Sequence, residues 1–153
     1  MKLDANGVKI NLEYPKELDK SKDYILFLHG FTGCAEDWFP VFEQLPDKYN
    51  YIAMDIVGHG KSDVPGGVNN YNIESIINQI KFVKDHLTPK KVFLLGYSMG
   101  GRIALSYASV YPDDLKGLIL ESASAGIKNE EERQKRYEED LKLAEFIETH
   151  TLE

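Results

Sequence analysis

Cysteine is nearly missing from this sequence: Cys34 is the one thiol among 153 residues. That excludes an internal disulfide and fits a reducing cytoplasm. Without a second cysteine, Cys34 reads as a loop residue with no redox work. Long hydrophobic runs are missing too. No apolar stretch approaches the roughly 18 residues of a membrane span, and the opening MKLDANGVKI lacks the uninterrupted apolar core of a signal peptide. Basic charge is in deficit, with 18 Lys and Arg against 25 Asp and Glu and a net charge of -7. Residues 130–153 hold nine acids and four bases, which leaves 16 against 14 elsewhere. Neither portion supplies the basic field that nucleic acid requires, and no Cys/His spacing suits zinc. Repeats and low-complexity tracts are likewise absent.

What is present is the composition of an ordinary globule, 42% hydrophobic and 28% charged, at a length that suits one domain with a real core. Asn6-Gly7 between two short alternating runs predicts a hairpin, with strands near residues 1–5 and 8–14. YILFL (24–28) is wholly apolar, the mark of a strand buried on both faces. A short helix is expected within 36–45, and YIAMD (51–55) as the next strand. The loop IVGHGKSDVPGGVNN is thick with Gly, Pro and Asn. Ile73, Ile76, Ile77, Ile80, Val83 and Leu87 recur at helical spacing and give 73–87 one apolar face. VFLL (92–95) predicts a strand, 98–110 a helix, and GLILE (117–121) a last strand. After the hairpin, strands and helices alternate. That order predicts an α/β fold: a mainly parallel sheet with helices on both faces. From Asn129 the character changes to a charged helix with a thin apolar stripe of Tyr137, Leu141, Ala144 and Ile147. The expected division is a core over 1–128 and the start of a lid or cap helix over 129–153.

Gly96-Tyr97-Ser98-Met99-Gly100 fits G-x-S-x-G, a match that chance supplies in roughly 5% of chains this long, so context decides its weight. A strand before and a helix after is the context a nucleophilic serine needs. A serine on a sharp strand-to-helix turn has strained backbone geometry, and small neighbours let the chain pass. Its hydroxyl then stands at the start of a helix, where backbone N–H groups can face a developing anion. The alternative is a glycine-rich turn whose serine caps the helix. If Ser98 is catalytic, one oxyanion donor is the N–H of Met99, next in sequence. The other is expected from the loop His29-Gly30-Phe31-Thr32-Gly33 after YILFL, with the N–H of Phe31 as the natural candidate. His29 is expected to hold this loop by hydrogen bonding rather than to act as a base. Arg102 lies one helical turn after Ser98. Helix side chains lean toward the N-terminus, so its guanidinium can approach the serine pocket and grip a carboxylate with two bonds. Otherwise it is a salt-bridge partner on the helix surface.

LHGFTG, DIVGHGKSD and GYSMGGRIAL, in this order over residues 24–110, resemble the α/β-hydrolase fold. His59 belongs to that pattern as a structural loop residue. More narrowly, GYSMGGR followed by ESASAGIKNEEERQKRYEED resembles the 2-succinyl-6-hydroxy-2,4-cyclohexadiene-1-carboxylate synthase family. That family removes pyruvate from 2-succinyl-5-enolpyruvyl-6-hydroxy-3-cyclohexene-1-carboxylate in menaquinone biosynthesis. The resemblance implies a carbon–oxygen lyase with a small anionic carboxylate substrate and no metal or organic cofactor. It implies Ser98 as the catalytic residue, working as a base and not as an acylated nucleophile. Tyr97, Arg102 and Arg136 are the substrate-binding residues it implies. Arg133 is the neighbour most easily confused with Arg136, which is otherwise one solvated charge among many.

A histidine to serve Ser98 is harder to find. In this fold the triad runs Ser, then Asp or Glu, then His. After Ser98 there is only His150, in the charged helix, while His86 precedes the serine and reads as a helix-end residue. Glu121, at the end of the last strand, could in principle be an acid member. The family's last strands, its aspartate and its Gly-His loop are therefore expected to be missing, with the chain ending inside the lid at Glu153. Catalysis by these 153 residues should then be severely reduced, and 117–121 should form an exposed edge that pairs with a second copy. Three readings stay open: a fragment of the pyruvate-eliminating synthase, a fragment of a general serine hydrolase or carboxylesterase, and a short protein that binds anions or a partner without catalysis.

Overall fold

The computed structural model describes residues 1–88 and 90–150, which divide into two units, Met1–Ala123 and Ser124–Glu153. In the first, Asn6 and Gly7 take φ of +58° and +88°, as a two-residue turn needs if its twist is to match the flanking strands. They join β1 (Lys2–Ala5) to β2 (Val8–Glu13). With β3 (Asp23–Leu28), β4 (Tyr49–Met54), β5 (Val92–Tyr97) and β6 (Leu115–Glu121) these form a six-stranded sheet ordered β1-β2-β4-β3-β5-β6. The four strands from β4 to β6 in that order run parallel, and the hairpin pairs antiparallel to β4.

Side chains of β3 alternate between two cores. Tyr24, Leu26 and Leu28 enter the larger one, with Ile80 and Val83 of α2 (Ile73–Leu87) and Ile103 and Tyr107 of α3 (Met99–Val110). Ile25 and Phe27 enter a smaller one on the opposite face, with Trp38, Tyr51 and Phe42 of α1 (Phe39–Phe42). Burial on both faces is why YILFL is apolar throughout, and helices cover both faces of a mainly parallel sheet, as the alternation of elements predicts. Over 36–45 the expected short helix is α1. A 3-10 turn, Ala35–Trp38, precedes α1. The Asp37 carboxylate accepts the Cys34 N–H at 2.8 Å and Asp55 accepts the Ala35 N–H at 2.6 Å, so polar anchors wind the start tightly.

The strand order opens the sheet at one point and leaves it unpaired at another. β3 leads to β4 on one side while β5 leads to β6 on the other, so the connections leaving the C-terminal ends of β3 and β5 part and open a crevice. Among the described strands β6 pairs with β5 alone, and its Ile119 and Leu120 are 45% and 39% exposed.

In the second unit α4 (Glu130–Thr149) is capped by Asn129, whose side-chain oxygen accepts the Glu132 N–H at 3.0 Å. Glu130, Glu131 and Glu132 suit the positive end of the helix. None of its residues is buried, the apolar stripe included. The last residues of the expected lid segment, 151–153, lie outside the described residues.

Candidate active site

Between β5 and α3 a single residue, Ser98, makes the turn, at φ +51° and ψ -110°. Positive φ is rare and strained for a residue with a side chain, so something must impose it. The Ser98 N–H donates to the Glu121 carbonyl at 2.9 Å, and the Gly100 N–H donates to the His29 carbonyl at 3.1 Å. These bonds tie the turn to the end of β6 and to the end of β3. Such closeness leaves no room for side chains: a Cβ on Gly100 would lie 2.5 Å from the carbonyl oxygens of both Leu28 and His29, and one on Gly96 would meet the Gly100 main chain. Although Ser98 occupies the N-cap position of α3, its side chain makes no capping bond. The alternative of a capping serine is not what this turn holds.

His29 is 2% exposed, and both ring nitrogens are engaged. Nε2 accepts the Ile56 N–H at 3.0 Å and Nδ1 lies 2.8 Å from the Gly30 carbonyl. A ring nitrogen that accepts an N–H carries no proton, so in the neutral ring Nδ1 is the donor. Burial pushes its pKa below the ordinary histidine value; the Gly30 bond opposes this and nearby His59 adds to it. His29 therefore fastens the loop, in keeping with its sequence-based expectation. His59 Nδ1 lies 3.2 Å from the Val57 carbonyl, its ring 5.0 Å from that of His29. His86 stacks on Phe82, and His150 Nδ1 lies 3.0 Å from the Phe146 carbonyl. Among the described residues no histidine is hydrogen-bonded to Ser98.

After β3 the Gly33 N–H donates to the Gly30 carbonyl at 3.1 Å, closing a turn in which Thr32 takes φ +64°. Among the described residues neither the Phe31 nor the Met99 N–H has an acceptor within the protein. A cavity of about 470 Å³ lies against this loop, with walls from His29 to Gly33, Trp38, Val41 and Tyr97. The Tyr97 ring lies over Gly30, where a Cβ would come within 2.9 Å of it and 3.6 Å of the Ser98 Cβ. The charged groups lining the cavity are Asp37 and Glu121, both carboxylates. Arg102 is exposed on α3 and is not among the lining residues. In the second unit Arg136 pairs with Asp140 at 2.8 Å, and Arg133 reaches the carbonyls of Ile127 and Lys128. Asp37 and Trp38, which line the cavity, were not singled out from the sequence. Their nearness to LHGFTG was the available signal.

A family model described as the α/β hydrolase fold matches residues 23–144; the chain belongs to that family. Within it, a synthase of Enterobacter sp. (strain 638) named for 2-succinyl-6-hydroxy-2,4-cyclohexadiene-1-carboxylate is 36% identical over 133 residues, 85% of this chain and 49% of that one. A protein of Bacillus subtilis (strain 168), provisionally given the same name, is 40% identical over 127 residues, 83% of this chain and 46% of that one. The solved thioesterase domain from the curacin biosynthetic pathway superposes with a TM-score of 0.73 at 27% identity, covering 90% of this chain and 50% of that one. The chain thus spans about half the length of the curated relatives it matches.

Proposed function

We propose that Ser98 is the catalytic residue of an α/β-hydrolase-fold enzyme. The complete protein is read as a carbon–oxygen lyase of menaquinone biosynthesis that eliminates pyruvate from 2-succinyl-5-enolpyruvyl-6-hydroxy-3-cyclohexene-1-carboxylate in the cytoplasm. The observation that carries this reading is the series of relatives bearing that synthase's name. In the mechanism, a histidine accepts the Ser98 proton and the serine removes a proton from the substrate. The anion so formed rests on the N–H groups of Phe31 and Met99, and pyruvate leaves. Tyr97, Arg102 and Arg136 are the groups proposed to hold the substrate. A second reading, a general serine hydrolase, is favoured by one observation: a cavity whose charged groups are Asp37 and Glu121 suits a neutral acyl group better than an anionic one. The test is to supply the longest polypeptide the gene encodes with the enolpyruvyl substrate and, separately, with a short p-nitrophenyl ester. Pyruvate release is expected. Ester cleavage alone would replace the lyase by the hydrolase, and neither activity would leave an anion- or partner-binding protein.

For the 153 residues by themselves, the edge of β6 is proposed to pair with a second copy, because its ladder groups face outward beside Ile119 and Leu120. Light scattering at rising concentration should show association, and Ile119→Lys should suppress it. A monomer throughout would overturn the proposal.

A further inference from the structure

We infer that His29 is a positioning residue, one that aims the Phe31 N–H at the reacting centre by holding the peptide plane between Gly30 and Phe31. The inference rests on the reading of Ser98 as catalytic and adds to it a residue that never touches substrate. In a trans peptide the carbonyl and the N–H point in opposite directions, and the chain has no cis bonds among its described residues. Whatever grips the Gly30 oxygen therefore sets where the Phe31 N–H points. Two donors grip it: the His29 ring at 2.8 Å and the Gly33 N–H at 3.1 Å. Both of its lone pairs are thereby used, one by the buried His29 ring and one by the turn that Gly33 closes. The N–H on the far side of that peptide is left without an acceptor, beside the cavity that Gly30, Phe31 and Tyr97 line.

The grip is only as firm as the imidazole. Here the ring is held at its other nitrogen by the Ile56 N–H at 3.0 Å, while the His29 carbonyl receives the Gly100 N–H at 3.1 Å. One residue thus joins the segment after β4, the loop after β3 and the turn that carries Ser98. The loop is not at rest without such restraint, since Thr32, a β-branched residue, is kept at φ +64°.

Two measurements test the assignment. In the 153-residue chain, nitrogen NMR of the imidazole at neutral pH should find the His29 proton on Nδ1 and none on Nε2. The reverse tautomer would overturn the inference whatever the protein's activity is. In the longest encoded polypeptide, kinetics should follow whichever reaction Ser98→Ala abolishes. His29→Leu, which lacks the donor, should lower kcat about 10²-fold with KM within about threefold, the signature of a misaimed oxyanion donor. His29→Asn, whose amide nitrogen can replace Nδ1, should recover kcat to within about tenfold of the parent. Should the leucine variant fail to fold, His29→Asp takes its place as the donorless match to asparagine. Equal losses in the donor and donorless variants, or no loss in either, would overturn the inference. A reaction indifferent to Ser98→Ala would instead refute the proposed function and leave the tautomer result standing.

Discussion

Ser98→Ala is expected to lower turnover by about 10³-fold or more while leaving KM nearly unchanged. The turn at Ser98 is held by main-chain bonds, from its own N–H to Glu121 and from the Gly100 N–H to His29, and its hydroxyl makes no capping bond to α3. Alanine therefore removes the hydroxyl and little else. Positive φ is no harder for alanine than for serine, so the fold should stay as stable as before within about 0.5 kcal/mol. Steady-state kinetics on the longest encoded polypeptide, with a urea titration alongside, would separate the two effects. A variant that keeps its rate would remove Ser98 from the chemistry, and one that loses rate and stability together would make the serine structural.

Gly100→Ala should be strongly destabilising. Its Cβ would lie 2.5 Å from two carbonyl oxygens, those of Leu28 and His29, and main chain cannot swing aside as a flexible side chain can. Those oxygens belong to the end of β3, which is paired to β4 and β5 up to Leu28. Relief requires α3 to retreat and give up the Gly100 N–H bond to His29. The expected cost is about 3 kcal/mol or more, roughly 6 to 12 °C in Tm for a chain of this size. Gly66→Ala is the control, since a Cβ there would meet nothing within 4 Å. A Gly100→Ala protein melting within a degree or two of the parent would show that elbow and sheet are more loosely fitted than these contacts require.

The parts of the fold that could be read in advance are those encoded by local pattern. Asn6-Gly7 announces its turn because few residues tolerate two successive positive φ values, and 73–87 appears as α2 over the same residues because its isoleucines keep helical period. Strand ends were less legible. β4 begins at Tyr49 and not at 51, for Asn50 looks like a loop residue. Its amide instead satisfies the main chain of Asp19 at 2.7 and 2.9 Å, a partner no window of sequence contains. At the site, G-x-S-x-G and LHGFTG foretell the turn and the loop, since glycine is required where backbones nearly touch. The strain at Thr32 could not be foretold, nor the meeting of Asp37 with Glu121 in one cavity wall, although Glu121 stood out as a strand-end acid, because both arise from how distant segments meet. Arg102 shows the same limit: spacing puts it one turn along the helix from Ser98, but not into the cavity lining.

The bond from Ser98 to Glu121 links the serine turn to a strand at the margin of the described sheet. Strands at a sheet margin open at lower free energy than those in its middle. When β6 frays, the Glu121 carbonyl withdraws and one of the two main-chain restraints on the serine turn goes with it, while β3, β4 and β5 remain paired. The geometry of the serine turn and the global structure thus have separate melting thresholds in these 153 residues, the first below the second. The turn at Ser98 is fully restrained only while that margin is closed.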